Sequence, residues 1–207
     1  MTRLSILLTG QSGTGKSYLA TYIVQTIKSK RKWVVDPSGE YYFPNFFQFE
    51  VTYDNYEIIP EVVKKYRNIV FQFFLAPEDT GKIVNYLCHH AFYTKNVFMT
   101  FEECHIYIDK LHPERWILLT ATMGRKFGIS SLYITQRPGM LNTTIRSQTN
   151  IKITGRMTDP SDLDAVRPFF TNYHLIPSLR DRTFLVHLPD GREKIFTTEG
   201  LVLQHYG

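Results

Sequence analysis

An eight-residue stretch near the amino terminus decides the fold, and it reads Gly10-Gln11-Ser12-Gly13-Thr14-Gly15-Lys16-Ser17. It matches the pattern G-x-x-x-x-G-K-[ST], which is the phosphate-binding loop of nucleoside-triphosphate enzymes. Residues 4–9 before it predict an apolar strand, and residues 18–29 after it have the apolar spacing of a helix. A glycine-rich turn before a helix is the alternative, but strand, loop and helix come in the order that phosphate binding requires.

Each part of this phosphate loop has a chemical task, and we expect all eight residues to contact a nucleotide. Gly10, Gly13 and Gly15 allow the backbone to approach closely, so the N–H groups of the loop point at phosphate oxygens beside a helix N-terminus. Lys16 reaches the β- and γ-phosphates, and the hydroxyl of Ser17 holds Mg²⁺. The expected cofactors are therefore ATP and Mg²⁺.

The composition is that of an ordinary soluble globular protein. The chain has 207 residues, 43% of them hydrophobic and 21% charged, and we expect a single P-loop ATPase domain over residues 1–207. No apolar run approaches the roughly 18 residues that span a bilayer. Two cysteines are too few for a disulfide framework, and no cleavable targeting peptide is evident, so we expect a cytoplasmic location. The net charge of +5 is compatible with a nucleic-acid partner but does not establish one.

Strands and helices alternate after the first helix. Further strands are predicted over residues 32–36, 68–75, 96–101, 131–135 and 151–154, and helices over residues 77–93, 113–127 and 161–170. Pro189, Asp190 and Gly191 separate two more strands, at residues 182–188 and 192–197, and indicate a hairpin. Residues 41–60 are aromatic and irregular. The pattern predicts an α/β fold with a mainly parallel central sheet, flanked by helices, and a C-terminal β-hairpin.

An acidic pair follows the predicted strand of residues 96–101. We expect Glu102 to reach the carboxyl end of the sheet beside Ser17, where it ligates Mg²⁺ directly or through water. Glu103 would orient and deprotonate the attacking water. An exposed acidic pair at a strand end is the alternative, and the presence of the phosphate loop favours the catalytic interpretation.

Two more polar residues are candidates for the same site. Gln136 follows the strand of residues 131–135, where it could sense the γ-phosphate, although a polar strand end is the simpler interpretation. Arg125 ends the helix of residues 113–127, and an arginine from a neighbouring subunit is a common way to stabilise transition-state charge. Arg137 and Arg146 are alternatives to Arg125 for that role.

Taken together, these motifs resemble the FtsK–HerA superfamily of DNA-pumping ATPases. The resemblance covers about residues 4–155 and the C-terminal hairpin, and its most specific elements are Asp36-Pro37-Ser38-Gly39-Glu40-Tyr41 and Thr135-Gln136-Arg137-Pro138. It implies a RecA-like core, a homo-hexameric ring, ATP hydrolysis between subunits, and double-stranded DNA bound without sequence preference in the pore. Gln136 matches the sensor glutamine of the family, and Arg125 lies where its trans-acting arginine finger falls. The family usually has Asp-Glu where this chain has Glu102-Glu103, and the longer side chain shifts the metal geometry.

The chain has little beyond the motor core, which resembles the viral genome-packaging branch of the superfamily. That branch implies packaging into a preformed capsid, with a capsid or viral membrane protein as a further partner and an association with the virion. Within such a motor we would look for DNA contacts at Lys110, Arg115 and Arg137, although solvated surface charge is an equally good interpretation of them.

Three other functions compete with this one. A nucleotide kinase shares the first motif, but it would need an arginine-rich lid that the chain does not show. A nucleotide-binding DNA or capsid scaffold without turnover is suggested by the unusual Glu102-Glu103 pair. A cellular helicase-like or conjugation motor of the same superfamily is the third, and the lack of extra domains weighs against it.

Overall fold

A computed structural model describes residues 4–199 and 201, and its centre is one nine-stranded sheet. The strands lie in the order β3-β4-β2-β5-β6-β1-β7-β8-β9. They are β1 (Ser5–Thr9), β2 (Arg31–Asp36), β3 (Phe47–Val51), β4 (Asn68–Phe73), β5 (Val97–Phe101), β6 (Ser130–Thr135), β7 (Ile151–Thr154), β8 (Thr183–His187) and β9 (Glu193–Thr197). The first seven strands pair in parallel, and β8 and β9 add an antiparallel hairpin beside β7. The predicted α/β fold, with its RecA-like parallel core and C-terminal hairpin, is confirmed.

Helices cover both faces of this sheet. They are α1 (Lys16–Thr26), α2 (Ile59–Lys65), α3 (Pro77–Thr94), α4 (Arg115–Thr122), α5 (Gly124–Phe127), α6 (Thr143–Gln148) and α7 (Pro160–Val166). Successive residues of the buried strands point to opposite faces, so Leu7 joins the core beneath α2, α3, α4 and α6 while Leu8 joins the core beneath α1. Burial on both faces explains why the parallel strands are apolar throughout. Among the residues that the structure describes, no helix is long and apolar enough to cross a membrane.

The structure differs from the sequence prediction in three elements. The stretch of residues 41–60, expected to be irregular, contains the edge strand β3, and α2 begins at its end. The helix predicted over residues 113–127 is broken at Met123 into α4 and α5, beside Gly124, whose low helix propensity favours a break. An additional helix, α6, follows Asn142, whose side chain accepts hydrogen bonds from the N–H groups of Thr144 and Ile145.

The parallel order determines where the functional residues lie. The strands β2, β5, β6 and β1 are neighbours, and each predicted motif follows the carboxyl end of one of them. Carboxyl ends of parallel strands meet at one edge of the sheet, which is where ligands bind in open α/β folds. Arg125 instead precedes β6 and shares a cavity with Ser5 and Asn150, at the amino-terminal ends of β1 and β7. It is separated from that carboxyl edge by the length of a six-residue strand, about 20 Å.

Candidate nucleotide-binding site

The phosphate loop between β1 and α1 depends on glycine at three positions. Gly10, Gly13 and Gly15 have φ angles of 145°, 80° and 90°, a region that side chains disfavour. Left-handed residues such as Gly13 and Gly15, each beside a residue with negative φ, can turn successive N–H groups to the same side, which is the geometry of an anion-binding nest. A Cβ at Gly10 would meet Thr14 Oγ1 at 2.9 Å, so this glycine is also required for space. These backbone angles and this close packing fit the loop to a phosphate group.

The segments that flank β7 and β8 support the loop from outside. The N–H of Gln11 donates to the carbonyl of Arg156 at 2.8 Å, and the N–H of Arg182 donates to the carbonyl of Thr14 at 3.0 Å. A Cβ at Gly155 would meet Thr14 and Phe184 at 3.1–3.2 Å, so glycine allows a close approach there. The sequence analysis missed this support, because the contacts join segments more than 140 residues apart.

Lys16 is the buried cation of the site. Its residue exposure is 6%, and its Nζ donates to the carbonyl of Gln11 at 3.1 Å. Burial lowers the pKa of Lys16 below its usual value, although the charges of Glu103, Glu102 and Glu40 oppose that effect. A phosphate at the loop would supply the charge partner that a buried ammonium needs, so a nucleoside triphosphate fits the residues present.

Glu102 follows β5 and is buried, with 2% exposure. Its Oε2 accepts a hydrogen bond from the hydroxyl of Tyr41 at 2.6 Å. Burial raises the pKa of Glu102 to about 8, which the hydrogen bond from Tyr41 opposes and the nearby charge of Glu103 reinforces. The acid is therefore held in place and is protonated near neutral pH unless a cation approaches it.

Glu103 points away from Glu102 and towards β6. Its Oε2 accepts a hydrogen bond from the N–H of Gln136 at 3.2 Å and lies 3.2 Å from Nδ1 of His105. Burial raises the pKa of Glu103, but the hydrogen bonds from His105 and Gln136 and the charge of Lys16 outweigh it, and the net pKa lies below the usual value. The two neighbouring carboxyls therefore differ in charge at neutral pH, which is typical of sites that assign them different tasks.

The loop between β2 and β3 adds a carboxylate that the sequence analysis quoted in a motif but gave no role. Oε2 of Glu40 lies 3.4 Å from Oγ of Ser17, and Tyr41 of the same loop contacts Glu102. The carboxylate of Asp36 organises the loop, because it accepts hydrogen bonds from the N–H groups of Glu40 and Tyr41 at 3.2 and 2.9 Å. The position of Glu40 after a parallel strand was the signal that placed it at this edge.

Ser17 and its carboxylate neighbours are suited to Mg²⁺, which prefers oxygen ligands and retains several waters. Within residues 4–199 and 201, no group of three or more His, Cys, Asp or Glu side chains is arranged to hold a metal ion. Hydroxyl, carboxylate and nucleotide phosphate oxygens together form the usual donor set in phosphate-loop enzymes, so the cation fits this site as a companion of the nucleotide.

The structure separates the three candidate arginines. Arg137 lies at the carboxyl edge and pairs with Asp159 at 3.7 Å and Asp162 at 3.6 Å. Arg146 is half-buried and donates to the carbonyl of Ala165 at 2.7 Å, which is a structural contact. Arg125 is exposed at the opposite edge, too far from Lys16 of its own chain to reach the same phosphate.

Comparison with known proteins agrees with this geometry. The family described as "Helicase HerA, central domain" matches residues 1–122, more than half of the chain. Two curated relatives come from Methanocaldococcus jannaschii. The probable DNA double-strand break repair helicase HerA is 36% identical over 77 residues, and the probable helicase MJECL08 is 26% identical over 149 residues. These matches cover 36% and 67% of this chain but only 15% and 28% of the relatives.

Among solved structures, the genome packaging NTPase B204 of Sulfolobus turreted icosahedral virus 2, in complex with sulfate, has the same fold. The TM-score is 0.76 at 16% identity, and the match covers 95% of this chain and 98% of B204. B204 has also been solved with AMPPCP and with ATP-gammaS. The family match extends over the phosphate loop, the Glu40 loop and the acidic pair. The chain therefore belongs to the family of the HerA helicase central domain.

Proposed function

We propose that this chain is an ATP-hydrolysing motor that translocates double-stranded DNA, and that it packages a viral genome into a preformed capsid. The observation that carries the proposal is the placement of the candidate residues at two opposite edges of the sheet. The phosphate loop, the acidic pair and Gln136 share the carboxyl edge, and Arg125 lies at the other. Repeated head-to-tail contacts between unlike edges close into a ring when the rotation allows, as a homo-hexamer requires. The fold shared with B204 supports packaging as the task.

Hydrolysis in this proposal begins with the residues of one subunit. Lys16 and the loop N–H groups bind the phosphates, while Ser17 and Glu102 hold Mg²⁺, which supplies charge neutralisation between the β- and γ-phosphate oxygens. Glu103 orients the attacking water and takes its proton. Its lowered pKa keeps the carboxylate ionised at neutral pH, ready to accept a hydrogen bond from water.

The neighbouring subunit and the sensor complete the cycle. Arg125 of the next subunit would stabilise the charge that develops on the transferred phosphoryl group. Gln136 would report the loss of phosphate, because its backbone N–H already contacts Glu103. Rotation between subunits would then move the DNA.

Contact with DNA in this proposal goes through phosphates and is independent of sequence. Lys110 and Arg115 follow the acidic strand and are exposed, which suits them to the pore. Arg137 is less suited, because Asp159 and Asp162 already balance its charge. The proposed location is the host cytoplasm and then the packaging vertex of the virion, where a capsid or membrane protein would hold the ring.

Steady-state ATP hydrolysis, with and without linear double-stranded DNA, tests this function. We expect DNA to stimulate turnover, and Glu103→Gln to lower kcat by about a hundredfold or more while ATP still binds. Glu50→Gln, which changes an exposed acid on the edge strand β3, is the matched control and should leave kcat unchanged. Full activity of Glu103→Gln would place the base elsewhere. ATP binding without turnover, even with DNA, would favour the scaffold function.

A further inference from the structure

The side chain of His105, in the loop that follows β5, contacts both Glu103 of the same loop and Thr135 at the end of β6. Its Nδ1 lies 3.2 Å from Oε2 of Glu103 and 3.0 Å from Oγ1 of Thr135. The side chains of His105 and Glu103 are 14% and 17% exposed, and Thr135 is fully buried. Contacts to a carboxylate that is shielded from water are stronger than exposed ones, so this arrangement restrains the side chain of Glu103.

The chemistry of the contact fixes the proton on the ring. An ionised carboxylate only accepts hydrogen bonds, so an acceptor nitrogen 3.2 Å away would be repelled by it. Nδ1 therefore carries the hydrogen, which it shares between Oε2 of Glu103 and Oγ1 of Thr135, and Nε2 is the ring nitrogen left for other partners. Thr135 Oγ1 accepts the N–H of Arg137 at 2.9 Å, which ties the same hydroxyl to the backbone beyond β6.

One carboxylate oxygen thus receives two donors from different elements. His105 donates from the loop after β5, and the N–H of Gln136 donates from the end of β6. The backbone of Glu103 has φ of 40°, an uncommon conformation for a residue with a side chain and one that surrounding contacts must hold. Backbone preference alone does not determine the orientation of this carboxylate, and the contacts with the two donors do.

We propose that His105 is a positioning residue that holds the Glu103 carboxylate against the end of β6. The proposed base, Glu103, and the end of β6 that leads to Gln136 then move as one unit. The inference rests on the proposed function, because it assigns a task to the partner of the proposed base. Without the Nδ1–H group, Glu103 keeps only the Gln136 N–H and is free to rotate away from the attacking water. Nucleotide binding should not change, because Lys16 and Ser17 do not contact His105.

Three variants at this position test the proposal, with ATP affinity by calorimetry, kcat, KM and thermal unfolding as readouts. The amide nitrogen of asparagine can stand where Nδ1 stands, whereas that of glutamine stands where Nε2 stands. We expect His105→Ala and His105→Gln to lower kcat roughly ten- to a hundredfold, with KM and the ATP Kd within about twofold of wild type. His105→Asn should recover most of the lost kcat. Asparagine would also keep the Nδ1 contact with Thr135, so the readout that excludes a merely structural role is a lower kcat with unchanged thermal unfolding.

A double variant separates this inference from the proposed function. His105→Ala combined with Glu103→Gln should be no slower than Glu103→Gln alone, because the proposed effect of His105 on kcat requires that carboxylate. An unchanged kcat in His105→Ala, equal activity of the Asn and Gln variants, or a further loss in the double variant would each overturn the inference. If Glu103→Gln itself keeps full activity, the proposed base is wrong and the inference fails with it. If Glu103→Gln is inactive but His105→Ala is fully active, the inference about His105 is wrong and the proposed function is unaffected.

Discussion

At the scale of a residue, Glu102 is buried and its pKa is about 8, so its ionisation makes the free energy of unfolding depend on pH. The folded carboxyl keeps its proton up to about pH 8, whereas the unfolded chain loses it near the usual value of 4.5. Between these values the folded state binds more protons than the unfolded state. The free energy of unfolding therefore falls as pH rises through this window, by up to about 1.4 kcal/mol per pH unit.

Glu102→Gln should remove this slope, because the amide cannot ionise yet can still accept a hydrogen bond from Tyr41. We expect the variant to be more stable than wild type at pH 8.5 and closer to it at pH 5.5. Urea denaturation of both proteins at the two pH values measures the difference, and the comparison cancels the titration of other groups. An identical pH dependence in the two proteins would show that Glu102 ionises normally in the fold.

At the scale of an element, the loop of residues 36–41 is held by the fully buried Asp36 carboxylate. It accepts hydrogen bonds from the N–H groups of Glu40 and Tyr41, and from the hydroxyl of Ser38 at 3.1 Å. Asp36→Ala should lower the free energy of unfolding by about 3 kcal/mol, because it leaves the buried N–H of Tyr41 without its acceptor. The same variant should also show a smaller increase in AMPPCP affinity on addition of Mg²⁺. The reason is that Glu40 would lose its contact with Ser17, and Tyr41 its contact with Glu102.

Ser38→Ala is the matched control for this loop. It removes one exposed donor and leaves both backbone hydrogen bonds, so its loss of stability should stay below about 1 kcal/mol. Urea denaturation and calorimetry with and without Mg²⁺ provide the two readouts. If Asp36→Ala binds AMPPCP with an unchanged response to Mg²⁺, the loop has no part in the cation site.

The elements also show what the sequence could and could not predict. The parallel strands were predictable because burial on both faces makes them continuously apolar. The edge strand β3 was missed, although Phe47, Phe49 and Val51 alternate with polar residues, because nearby breakers such as Pro44 and Pro60 suggested a loop. Pairing with β4 decides its structure, and β-propensity depends on such tertiary context.

For the candidate site, the sequence motifs predicted which edge of the sheet the residues share, but not which side chains they contact. Lys16, Glu103 and Gln136 follow parallel strands, and this rule is enough to bring them together. The contacts of Glu102 with Tyr41 and of Glu103 with His105 depend on side-chain direction after β5, where Glu103 takes a positive φ. No local pattern predicts such a backbone conformation for glutamate.

At the scale of the whole molecule, the proposed role of Arg125 and its distance from Lys16 of the same chain together predict that each active site is shared by two subunits. Lys16→Ala should abolish ATP binding, and Arg125→Ala should abolish turnover with binding nearly intact. When the two variants are co-expressed, each subunit lacks one of the two residues. A site is intact where an Arg125→Ala subunit supplies Lys16 and its Lys16→Ala neighbour supplies Arg125. Random assembly makes about a quarter of the sites intact, so turnover should return to about that fraction of wild type.

The control replaces Arg125→Ala with Lys126→Ala, which removes an adjacent exposed cation. Lys126→Ala alone should hydrolyse ATP normally, so any loss in Arg125→Ala reflects the guanidinium and not general surface charge. Separately purified variants, assayed before and after exchange in the presence of DNA, provide a second measurement. Mixed assemblies no more active than their components would mean that Arg125 does not complete a neighbour's site. An Arg125→Ala protein that no longer binds ATP would instead assign the arginine to the stability of its own subunit, because an exposed side chain about 20 Å away cannot contact its own phosphate loop.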